Sequence, residues 1–158
     1  MAQITEVSTK IKVPINEVYS FVNHMENMVY FWDRVKSVEK DPENPDAVGP
    51  GAKYNIIFKT VLGGKKSIEL EITGSMAHQS FEYRDNSNSL HVLTGYYFSE
   101  EADGTSVKLY RKTELGPIAN LLSLNAVASR DTKKELEKTL LRLKNFLEAE
   151  PADVEVEV

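Results

Sequence analysis

The sequence predicts an α+β domain: a curved antiparallel β-sheet of about seven strands wrapped around a long C-terminal α-helix, with two short helices after the first strand. Three observations carry this expectation. From residue 53 to residue 114, short segments alternate apolar and polar residues and are separated by turn formers. From residue 118 to residue 150 neither Gly nor Pro interrupts the chain. Between the first strand and the others lies a stretch whose apolar residues recur at helical spacing.

Taken in order, residues 3–13 read as a strand, with Val7, Thr9, Ile11 and Val13 on one face and Ser8, Lys10 and Lys12 on the other. Pro14 suits a first helical turn and Asn16 is a candidate cap, so a helix is predicted there. Val18, Phe21, Val22 and Met25 supply its apolar face. A second short helix is expected from Glu26 to about Phe31, and a strand from Trp32 to Glu39 with irregularly spaced apolar residues. A loop rich in Pro, Gly, Asn and Asp follows between Asp41 and Gly51. Tyr54, Ile56 and Phe58 then alternate, and Leu62-Gly63-Gly64-Lys65 makes a hairpin. Ile68, Leu70 and Ile72 alternate with Ser67, Glu69, Glu71 and Thr73 in the clearest half-buried strand of the chain. Phe81 and Tyr83 belong to a shorter strand, and residues 90–99 and 105–114 form two more, joined through Ala102-Asp103-Gly104. The long helix should run from Pro117 to about Glu148, roughly 48 Å at ~1.5 Å per residue. Leu136, Leu140, Leu143 and Leu147 share one face of its second half, whereas the apolar residues of its first half spread around the circumference. One domain is expected over residues 1–149, with a mobile acidic tail over 150–158.

The bulk composition narrows the function classes. Nineteen Lys and Arg against 24 Asp and Glu give a net charge of −5, which offers no phosphate-neutralising surface, so no nucleic-acid partner is expected. No run of about 18 apolar residues exists to make an integral membrane segment. With no cysteine there is no disulfide, thiol nucleophile or thiolate metal site. Residues 1–6 lack the basic and apolar regions of a signal peptide, and a cytoplasmic protein is the expectation. No P-loop, nucleophile elbow or metal-ligand spacing appears, so neither cofactor nor metal is expected.

Several segments resemble the START-like superfamily of helix-grip domains. They are Val13-Pro14, the helix Glu17-Val18-Tyr19-Ser20-Phe21-Val22, and Glu26-Asn27 before Trp32. The turns Val48-Gly49-Pro50-Gly51 and Asp103-Gly104-Thr105, and the stretch from Leu140 to Glu148, are similar to later landmarks of that superfamily. The resemblance covers residues 3–149 and implies a helix-grip fold that holds a hydrophobic small molecule or lipid between sheet and helix, as a monomer or homodimer. The superfamily also includes polyketide cyclase and dehydratase enzymes and chaperone-activating modules, and a shared fold does not choose among them.

The predicted cavity is lined by Val22, Ile56, Phe58, Ile68, Leu70, Phe81, Tyr83, His91, Leu93 and Tyr97, with Ile118, Leu122, Asn125 and Ser129 from the first half of the long helix. The competing reading is a filled core. If the protein were an enzyme, His91, Tyr83 and Arg111 would be the candidates to handle protons or orient a polar group. His91 is expected mid-strand among Leu90, Val92 and Leu93, in a hydrogen-bonded structural or pocket-lining role, and Tyr83 and Tyr97 are candidates to offer hydroxyls into the cavity. The Glu69/Glu71 pair reads as a solvated strand face.

Overall fold

In a computed structural model, residues 2–60, 62–87, 91–114 and 122–156 are described, with side chains of the last segment described over 131–149. The chain begins with β1 (Ala2–Ile11) and α1 (Ile15–Asn23), then a 3₁₀ turn (Met25–Asn27) and α2 (Met28–Phe31). Six strands follow: β2 (Val35–Lys40), β3 (Lys53–Lys59), β4 (Lys65–Met76), β5 (Ser80–Asp85), β6 (Leu93–Glu101) and β7 (Gly104–Glu114). The last element is α3 (Leu122–Val156), which runs past the boundary expected at residue 149.

The seven strands form one curved antiparallel sheet in the order β1-β7-β6-β5-β4-β3-β2. From β2 to β7 the sheet is a meander, because each strand pairs antiparallel with its successor in the chain. β1 joins at the far edge, paired with β7 from Ala2↔Glu114 to Ile11↔Thr105. The connection from β1 to β2 therefore crosses the whole sheet, and α1 and α2 fill that crossing. α1 starts without a side-chain cap. Pro14 occupies the cap position, and its carbonyl accepts from the backbone amides of Glu17 and Val18, so Asn16 does not take the capping role expected of it.

The core lies between the inner face of the sheet and the helices. Ile11, Val18, Val22, Phe31, Ile56, Leu70, Phe81, Tyr96, Leu109, Leu136 and Leu143 are all buried in it. α3 packs on β1, β7 and α2 with the Leu136/Leu140/Leu143/Leu147 face that the sequence pattern marks. At the rim, Gly104 leaves room for the Ile11 carbonyl, which an added Cβ would meet at 2.2 Å. The neighbouring Thr105 hydroxyl donates to the Val13 carbonyl, which ties the β6–β7 hairpin to the end of β1. Among the described residues no helix is long and apolar enough to cross a membrane.

β2 differs from expectation at its start. Trp32 ends α2 in an extended conformation, and the strand begins only at Val35. A register shift between Val35 and Ser37 lets Val35 and Val38 face Phe58 and Ile56 although they are three residues apart. That bulge explains the irregular apolar spacing of the segment.

Candidate functional site

Strand register builds a transverse row of side chains across the inner face. Ile72 is paired with Tyr83, Tyr83 with Thr94, Thr94 with Arg111, and Arg111 with Thr5. One step along the strands lies a second row, in which Phe81 is paired with Tyr96, Tyr96 with Leu109 and Leu109 with Val7. Because side chains two apart on a strand share a face, both rows point toward the helices. The first row places four polar groups side by side, Tyr83, Thr94, Arg111 and Thr5, and the second lays a largely apolar floor beside them.

Two groups from outside the sheet complete the cluster. Trp32, 6% exposed at the end of α2, donates its indole N–H to the Tyr96 hydroxyl at 3.1 Å. The Arg111 guanidinium carbon lies 5.5 Å from the centre of the Trp32 ring, a cation–π placement. Arg111 also reaches Thr94 Oγ1 through Nε at 3.5 Å, and Glu135 Oε2 of α3 through Nη1 at 3.3 Å. The Arg111 side chain is only 21% exposed, whereas Glu135 is 53% exposed. Among the described residues, every buried side-chain polar atom has a hydrogen-bond partner.

Burial governs the two phenols. It pushes the Tyr83 hydroxyl up to about 12, against the opposing pull of the Arg111 charge. It raises Tyr96 well above the ordinary phenol value, with the neighbouring Tyr83 adding to the effect. Both hydroxyls therefore stay protonated at neutral pH and act as hydrogen-bond donors and acceptors, not as bases.

Of the residues singled out from the sequence, Ile56, Phe58, Ile68, Leu70, Phe81 and Tyr83 lie on the inner face by strand alternation, and Val22 is buried on α1. Tyr83 and Arg111 are brought into one cluster. Three others lie elsewhere. His91 is exposed, precedes β6 and holds a positive φ of 50°, so it is not a mid-strand residue facing the interior. Leu93 and Tyr97 fall on the outer face: Leu93 is opposite Arg84 and Lys112, and Tyr97 is 54% exposed and stacked on Tyr110. Ile118 lies outside the described residues, as do the side chains of Leu122, Asn125 and Ser129.

Sequence reasoning missed Trp32, Thr94, Tyr96 and Glu135. The usable signal was the phase of β6. Thr94, Tyr96 and Phe98 point inward, but the consecutive aromatics Tyr96-Tyr97-Phe98 leave either phase open, and a slip of one residue exchanges the faces. On the outer face, Glu69 and Glu71 both accept from Asn86 Nδ2, at 2.7 and 2.9 Å. A separate groove of about 420 Å³ lies at the β1–α1 turn and the β6–β7 hairpin, lined by Lys12, Pro14, Asn16, Glu101 and Asp103 among others. It shares no residue with the inner-face cluster. Among the described residues no group of His, Asp and Glu is arranged to hold a metal ion.

No protein-family model matches the chain, and no curated protein matches it by sequence. Solved structures do resemble it. The di-domain ARO/CYC StfQ from the steffimycin biosynthetic pathway superposes with a TM-score of 0.79 at 11% identity, over 96% of this chain and 53% of StfQ. Thus the chain spans about half the length of that di-domain protein. Protein NE0264 from Nitrosomonas europaea gives 0.72 at 12% identity, over 94% of this chain and 96% of its own. Ara h 8.0201 gives 0.70 at 12% identity, over 92% and 97%. At such identities the likeness is one of fold alone.

Proposed function

We propose, for a chain that has the helix-grip fold of the START-like superfamily, that it binds a hydrophobic small molecule between the inner sheet face and α3. The observation that carries this reading is the polar cluster of Trp32, Tyr83, Thr94, Tyr96 and Arg111, set into an otherwise apolar face. A few placed polar groups among apolar walls are the usual make-up of a small-molecule site. Phe58 and Ile68 remain only partly covered on the same face, which supports an occupant there.

Magnitudes favour a ligand with a polar end. Burying about 300 Å² of apolar ligand surface is worth about 7.5 kcal/mol gross. An association cost of at least ~4 kcal/mol then leaves weak binding unless polar anchors contribute. The inner-face cluster supplies such anchors. Because the phenols of Tyr83 and Tyr96 keep their protons, they orient a ligand by hydrogen bonding and do not abstract protons.

Trp32 is the only tryptophan in the chain and belongs to the cluster, so its fluorescence reports on the site. Titration with N-phenyl-1-naphthylamine, a neutral apolar probe, is expected to quench Trp32 saturably with energy transfer to the probe. Absence of saturable binding, or binding that leaves Trp32 emission unchanged, would sink the reading.

A further inference from the structure

We propose that the ligand carries an oxyanion, of carboxylate or sulfonate type, which takes the Arg111 guanidinium from Glu135, so that Glu135 sets the selectivity of the site. The inference rests on the binding site described above and adds the chemical class of the ligand's polar end.

Arg111 is the reason. A guanidinium carries five N–H donors in a fork that fits a carboxylate through two parallel bonds. Here it meets Glu135 through one nitrogen only, at 3.3 Å, and Thr94 at 3.5 Å. Charge-assisted bonds of this kind ordinarily close to about 2.7–2.9 Å. The Trp32 ring attracts the positive charge but accepts no conventional hydrogen bond. The neighbours in the same row, Thr5, Thr94 and Tyr83, are neutral. Among the described residues, Glu135 is the carboxylate that pairs with Arg111.

Glu135 is also poorly held. Half exposed on α3, it has the geometry of a surface ion pair, which opens at little cost because water solvates the released carboxylate. A ligand oxyanion arriving from the apolar side, at the level of Thr94 and Tyr83, can engage the guanidinium with both oxygens. Its apolar body then lies against Phe58, Ile68 and Trp32. A neutral polar group has no charge with which to displace Glu135.

The matched pair N-phenyl-1-naphthylamine and 8-anilinonaphthalene-1-sulfonate tests this, because the two share a skeleton and differ by the sulfonate. Binding of each is followed through Trp32 in the wild-type protein and in the Glu135→Gln and Arg111→Met variants, with circular dichroism to confirm folding. The wild type is expected to prefer the sulfonate. Removing the competing carboxylate with Glu135→Gln should tighten sulfonate binding about threefold or more, while Arg111→Met should weaken it about tenfold, the response to losing one charge-assisted bond. The neutral probe should change less than about twofold in Glu135→Gln, since it makes no charge-assisted bond to lose. If Arg111→Met does not fold, Glu135→Gln decides, because residue 135 is half exposed. An unchanged sulfonate-to-neutral ratio in Glu135→Gln overturns the inference, and so does a parallel change in both probes. In either case a neutral probe that still quenches Trp32 leaves the binding reading standing. If neither probe reaches Trp32, both readings fall.

Discussion

Gly95 shows how closely single residues are fitted here. A Cβ at this position would meet the Tyr110 ring at 2.3 Å, so the outer face of β6 is bare at that point to let Tyr110 lie across it. From there the Tyr110 hydroxyl donates to Glu82 Oε2, and its ring stacks on Tyr97 at 5.3 Å between centroids. Burial, reinforced by the Glu82 carboxylate, pushes the Tyr110 phenol far above its ordinary value. Gly95→Ala is therefore expected to expel the ring and destabilise the protein by about 1–3 kcal/mol, the usual cost of overpacking. Urea denaturation checks this, and a Tyr110→Ala background should remove most of the penalty because the colliding ring is gone. A penalty that persists in that background would place its origin elsewhere. The same strand shows what the sequence conceals. Tyr83 and Arg111 could be picked out as polar residues in apolar strands. Their partners Thr94 and Tyr96 could not, because those pairings depend on register, and Tyr97 sits next to Tyr96 with the same side chain and the opposite face.

At the scale of elements, α3 is the clearest reading from sequence, since four leucines at helical spacing define its buried face without help from the rest of the chain. Its polar attachments were not legible, because each depends on where the helix crosses other elements. Lys138 pairs with Asp33 at 3.0 Å beyond α2, and Arg142 donates to the Phe31 carbonyl. At the other end, Lys144 donates to the Lys10 carbonyl and Glu148, and Glu148 accepts from the Lys12 amide. The hydrogen bond from Lys138 is the main cause that lowers the Asp33 carboxyl below its ordinary 3.8, and that from Lys144 the main cause that lowers Glu148 below its ordinary 4.5. Lowered folded-state values mean that each carboxylate stabilises the fold fully above its ordinary value and loses that contribution as pH falls through the lowered one. Unfolding free energies of the wild type, Asp33→Asn and Glu148→Gln are thus expected to differ by about 1 kcal/mol or less at pH 7, as for exposed pairs. The differences should shrink as pH falls below about 4, where the wild-type carboxylates take up protons. Urea titrations followed by Trp32 fluorescence from pH 7 to pH 3 measure this. A gap that stays constant across the range would show that the pairs do not anchor α3.

For the molecule as a whole, the topology makes the site a product of folding. Its groups come from residues 32, 83, 94, 96, 111 and 135, contributed by the end of α2, three adjacent strands and α3. Pairing of β1 with β7 joins residues 2–11 to residues near the end of the sheet, and only then is the inner face continuous under α3. An unfolded chain holds no part of this arrangement, so a ligand of the site binds the folded state alone and stabilises it by mass action. With N-phenyl-1-naphthylamine at about one hundred times its dissociation constant, the expected gain is about 2.7 kcal/mol, or a rise in Tm of roughly 5–11 °C for a chain of this length. Differential scanning calorimetry with and without the probe measures it. A filled core gives a different result, because a probe can then enter only by displacing packed side chains. In that case Tm would stay constant, or fall if the probe preferred the exposed apolar groups of the unfolded chain. A rise that scales with the logarithm of probe concentration and is lost when Trp32 emission ceases to respond would locate the occupied space at the inner-face cluster.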